Sequence, residues 1–79
     1  MGSDETEILR DLLERRISVG VAEWSLRGKY GSGRANSDFQ KVYNYLDELA
    51  GMLDGGRETN EDIDRFRAFL YELGISFEV

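Results

Sequence analysis

The sequence predicts a small α+β fold: a single-layer antiparallel sheet, built from a hairpin and a C-terminal strand, covered by three helices in the order α-β-β-α-α-β. Three features of the 79 residues point there. Apolar residues recur at helical spacing in three separate segments. Residues 16–30 scatter their apolar side chains around a helix but gather them on one face of a strand pair. The last five residues alternate apolar and polar. An all-α bundle of three helices, the first one long, is the alternative.

The first helix runs from Asp4 to Arg15. Asp4 and Glu7 suit its positive N-terminal end, and Ile8, Leu9, Leu12 and Leu13 form its apolar stripe. In the next stretch Ile17, Val19 and Val21 alternate with Ser18 and Gly20, then parity flips, and Trp24 and Leu26 alternate with Ser25 and Arg27. A connection at Ala22-Glu23 puts all five large apolar residues on one face. That pair is poor chemistry for a tight primed turn, which favours Gly, Asn or Asp. Gly31-Ser32-Gly33 reads as a loop. Ser37 to Gln40 matches a capping box, and Phe39, Val42, Tyr43, Leu46, Leu49, Ala50 and Leu53 follow as the clearest helix, stopped by Gly55-Gly56. Thr59 or Asn60 caps the third helix, whose inner stripe is Ile63, Phe66, Leu70 and Leu73, with Gly74 beyond its end. Ile75 to Val79 suits a short strand.

Residues 1–79 are expected as one compact domain, with 1–3 a disordered or tag-derived start. The content is 41% hydrophobic, with Phe 4, Tyr 4 and Trp 1, which favours a packed core over disorder. The chain has no Cys, no His and no Pro. It therefore offers no thiol nucleophile, no imidazole base and no Cys or His metal ligand, and no enzyme, cofactor or metal site is expected. Absent Cys fits a reducing compartment, so the expected location is cytoplasmic. No apolar run is long enough to span a membrane.

The charge is unevenly placed. The formal net charge is −6, from 10 basic and 16 acidic residues. Residues 1–43 hold seven of each sign, so the whole excess lies in residues 44–79. Two other clusters are weighed and set aside. Gly28 to Arg34 is Gly-rich and basic but matches no phosphate-loop pattern, and reads as a connector. Glu58, Glu61, Asp62 and Asp64 lack calcium-loop spacing and read as ordinary N-terminal helix charge.

These features fit a non-catalytic protein-binding domain: a small acidic stoichiometric inhibitor of the anti-defence (anti-CRISPR), antitoxin or immunity type that docks on a basic surface of a protein partner. The expected contact residues are Tyr45, Asp47, Glu48, Glu61, Asp62, Asp64, Tyr71 and Glu72, aromatic anchors among steering acids. The alternative is an assembly subunit that forms homo-oligomers through the edge of its sheet. A third reading, nucleic-acid binding, would use Arg16, Arg27, Lys29 and Arg34 on the outer face of the hairpin; the acidic balance disfavours direct nucleic-acid contact.

Overall fold

Residues 19–30, whose alternation suggests a hairpin, are helical in the computed structural model of the chain, which describes residues 5–34 and 37–75. Among those residues there are four helices and no strand: α1 (Glu5–Leu13), α2 (Val19–Tyr30), α3 (Asp38–Leu53) and α4 (Asn60–Glu72). The α+β expectation is thus corrected to an all-α bundle, the class of the alternative, with its long first helix broken in two. Of the expected C-terminal strand only Ile75 is described, and it completes the cap of α4; residues 76–79 lie outside the described part.

Two facing caps make the break between α1 and α2. At the end of α1, Arg15 donates its N–H to the Leu12 carbonyl at 3.0 Å and Arg16 to the Asp11 carbonyl at 2.8 Å. Arg15 takes the left-handed conformation, φ 64°, that glycine ordinarily supplies at this position. That strain is of order 1 kcal/mol, and tertiary bonds offset it: the Arg15 guanidinium donates to the Glu58 carbonyl at 3.2 Å and to Asn60 Oδ1. At the start of α2, Ser18 is extended and its Oγ accepts the Val21 N–H at 3.3 Å. The Glu58 carboxylate accepts the Val19 N–H at 2.6 Å. Two N–H groups that the helix itself leaves unpartnered are satisfied in this way.

With its start secured, the segment gains a full ladder of helical bonds, whereas a hairpin would need an unfavourable turn at Ala22-Glu23. The helix also divides the apolar residues that a sheet would unite. Val19, Ala22, Leu26 and Tyr30 go inside together with Glu23, while Val21 and Trp24 stay outside. Gly28 to Tyr30, read from sequence as part of a connector, belong to α2.

The other stripes fold as their spacing predicts. Ile8, Leu9, Leu12 and Leu13 of α1, Val42, Tyr43 and Leu46 of α3, and Ile63, Phe66 and Leu70 of α4 form one core with the inner face of α2. The predicted capping box of α3 does not form. Ser37 occupies the N-cap without a side-chain bond, and Gln40 turns inward. Its Nε2 donates to the Tyr30 carbonyl and to Asn44 Oδ1, each at 3.0 Å, joining the end of α2 to α3. At the other end of α3 the stop falls one residue earlier than Gly55-Gly56: Asp54 (φ 48°) is already left-handed, followed by Gly55 (φ 84°).

The capping box does form at α4, where Thr59 and Asp62 exchange side-chain and backbone bonds at 2.9 and 3.1 Å. α4 ends in a Schellman motif: Gly74 bonds the Tyr71 carbonyl and Ile75 the Leu70 carbonyl, both at 3.0 Å, with Gly74 at φ 80° and Ile75 against the core.

Two glycine substitutions should therefore have opposite signs. Gly74→Ala forces a side chain into a left-handed cap and should lower unfolding free energy by about 1 kcal/mol. Gly28→Ala lies inside α2, where an added Cβ meets nothing within 4 Å, and should raise it by roughly 0.5–1 kcal/mol. Urea denaturation of the two variants against the parent measures both.

Candidate functional site

Trp24 is the most conspicuous surface residue, 69% exposed on the outer face of α2 beside Val21, itself 48% exposed. Helical spacing aligns Val21, Trp24, Ser25 and Gly28 on one stripe. With Ile8 and Asp11 of α1, Ile17 of the connection and Arg27, they line a groove of about 740 Å³ between α1 and α2.

The Trp24 ring is held from the interior. Buried Glu23 receives Arg27 in a bidentate bond, Nε at 2.8 Å and Nη2 at 2.6 Å, and accepts the Tyr43 hydroxyl at 2.7 Å. The same guanidinium lies 5.0 Å from the centre of the Trp24 ring, a cation–π contact. A continuous chain thus runs from Tyr43 on α3, through Glu23 and Arg27, to an exposed indole.

The electrostatics follow from these bonds. The Arg27 guanidinium holds the Glu23 carboxyl below its ordinary range against the opposing effect of burial, with help from the Tyr43 hydroxyl. Glu23 in turn raises Arg27, and burial, then Glu23, raises Tyr43. A second cluster ties α1 to α2: Glu5 pairs with Lys29 and accepts the Tyr30 hydroxyl at 2.9 Å. The Lys29 ammonium is the main cause of a Glu5 pKa of about 2.

These pairings also decide the fate of the basic residues. The hairpin face that would have presented Arg16, Arg27, Lys29 and Arg34 does not exist, and three of the four are engaged by acids: Arg16 with Glu14 at 3.1 Å, Arg27 with Glu23 and Lys29 with Glu5. Of the four, Arg34 alone forms no ion pair among the described residues.

The expected partner-facing residues lie on α3 and α4. Tyr45, Glu48 and Asp62 meet in a shallow groove of about 200 Å³ with Leu49, Met52 and Arg65. Tyr45 is half-buried, stacked on Phe69 at 4.6 Å and tilted against Phe66 at 5.4 Å. Asp62 serves the capping box, and Glu61 binds Arg65 at 2.7 Å. Asp47, Asp64, Tyr71 and Glu72 are exposed, Tyr71 by 78%. Glu58, grouped in sequence with Glu61, Asp62 and Asp64, is instead drawn inward onto α2. Among the described residues no group of three or more acids is placed to hold a metal ion, and no helix is long and apolar enough to cross a membrane.

The sequence reading missed Trp24 as a surface group because it assigned that residue to the core of a sheet. The available signal is helical: on a wheel starting at Val19, Trp24 and Val21 fall opposite Val19, Ala22 and Leu26. No family model, curated protein or solved structure matches the chain.

The pH dependence of stability follows from the depressed carboxyls. Glu5 and Glu23 ionise more readily in the folded chain than in the unfolded one, so the contribution of each is complete above the ordinary glutamate value of 4.5 and is lost as pH falls below it, for Glu5 through its folded value of about 2. Urea midpoints taken through that range should fall for the parent chain. Glu5→Gln should flatten the fall, and parallel curves would show that Glu5 contributes nothing to it.

Proposed function

We propose that the chain is a non-catalytic, cytoplasmic protein-binding domain, a small acidic stoichiometric inhibitor of the anti-defence, antitoxin or immunity type, which docks its α3–α4 side on a basic surface of a protein partner. The supporting observation is how its acids are employed. Asp47, Glu48, Asp64 and Glu72 are exposed and form no hydrogen bond or ion pair among the described residues, while the nearby bases Arg57 and Arg65 are spent on Glu58 and Glu61. Residues 44–79 hold nine acids against three bases, Arg57, Arg65 and Arg67, so the field of this side is negative on balance, which favours capture of a cationic surface.

The α3–α4 groove adds apolar contact to the charge. Met52 is 75% exposed beside Leu49 and Tyr45, and a flexible thioether adapts to irregular partners. Glu48 and Asp62 at the same groove suit a Lys- or Arg-bearing segment. Tyr71 supplies a second aromatic contact of the kind interfaces favour. With neither His nor Cys, the chain has no ready nucleophile–base pair to favour catalysis. Assembly through a sheet edge has lost its support, since no strand is present among the described residues.

The test uses the full chain as an affinity bait in lysate, beside the double variant Asp47→Lys/Glu48→Lys, at low and high salt. A stoichiometric partner should be retained by the parent chain, weakened on the order of tenfold by the double variant and released by salt, since steering between exposed charges is screened beyond about 8 Å at physiological ionic strength. The variant should melt with the parent, because both positions are exposed. Equal retention by both baits at both salt levels would overturn the acidic docking.

A further inference from the structure

The groove between α1 and α2 is left unused by that docking, and its chemistry differs from the acidic side. Residues 5–30 carry five acids and five bases, a net charge of zero in a chain of −6. Here Asp11 of α1 and Arg27 of α2 line one groove, and bulky Trp24 stands one helical turn from Gly28, where nothing lies within 4 Å of an added Cβ. We infer that this face is a two-fold interface between two copies of the chain.

Three features select a second copy as the occupant. First, a two-fold contact requires a surface complementary to itself, because residue i meets residue j and j meets i. An acid and a base on the same groove satisfy this: Asp11 of each copy meets Arg27 of the other. Glu23 engages Nε and Nη2 of Arg27, which leaves Nη1 as a donor for an incoming carboxylate. Second, the shape is self-complementary. Antiparallel packing of the two α2 helices lays each Trp24 indole over the bare backbone at the other copy's Gly28, with Val21 at the edge of the contact. Third, charge excludes the alternative orientation. Two acidic α3–α4 sides would repel one another, whereas the neutral face brings the copies together and leaves both acidic sides pointing away. The guanidinium under Trp24 holds the ring before contact, which reduces the entropy lost on association.

Sedimentation velocity and intrinsic fluorescence of the full chain test this. Trp24 is the only tryptophan, so its emission reports the interface directly. Between about 1 and 500 µM the mass should rise from 9.0 kDa to twice that value, with a parallel blue shift of the emission as the indole leaves water. Gly28→Glu should remain a monomer throughout and, at about 1 µM where the parent is also monomeric, melt no lower than the parent, because the position is open on the outside of α2. Asp11→Arg, which sets like charges against each other, should weaken association at least tenfold. A mass that stays at 9.0 kDa, growth beyond a dimer, or a dimer that survives Gly28→Glu would overturn the inference.

Discussion

The carboxylate of Glu58 is the contact on which the arrangement of the bundle turns. It sits buried in the α3–α4 connection and accepts the first N–H of α2, while the Arg15 side chain at the end of α1 reaches the same loop. One residue thereby fixes where α2 starts and how closely α1 ends beside it. A buried carboxylate is expensive to desolvate. Here the helix N-terminus supplies partial positive charge, and Arg15 and Arg57 lie 3.7 and 3.6 Å away. The left-handed Arg15 belongs to the same account, since its strain persists only because its side chain is held by the loop.

Glu23 plays the corresponding part between interior and surface. α2 packs chiefly on α3, and within that contact an ionised side chain occupies a core position. Replacing such a group with a hydrophobe often leaves stability unchanged or higher. What Glu23 provides here is orientation. It fixes Arg27 through a two-pronged bond, Arg27 fixes Trp24, and Tyr43 fixes Glu23 to α3. The polar group in the core thus determines the posture of an aromatic group on the outside.

Charge divides the molecule along the same lines as its helices. In α1 and α2, Glu5 pairs with Lys29 and Glu23 with Arg27, and residues 5–30 come out neutral, with Val21 and Trp24 exposed. α3 and α4 keep several carboxylates free of any structural bond. The chemistry of the two sides differs accordingly: on the neutral side shape and apolar burial dominate, on the acidic side a field that salt screens.

Much of the bundle was legible in the sequence. The stripes of α1, α3 and α4 named their buried residues, Thr59 was among the caps proposed, Gly74 marked an end, and the division of charge could be counted directly. Those features rest on interactions within one or two turns, so local spacing carries them. The state of residues 16–30 was not determined locally. Ile17, Val19 and Val21 satisfy strand alternation, and a helix through them places Val21 and Trp24 in water and Glu23 in the core, which reads as an error of pattern. The partners that reverse this judgement are remote: Glu58 lies 39 residues from the N–H it caps, and Tyr43 lies 20 residues from Glu23. Neither bond leaves a trace in local periodicity, because a capping carboxylate and a core phenol can come from anywhere along the chain. Only the packed structure brings them to α2, and so only it decided that the segment is a helix and that its tryptophan faces outward.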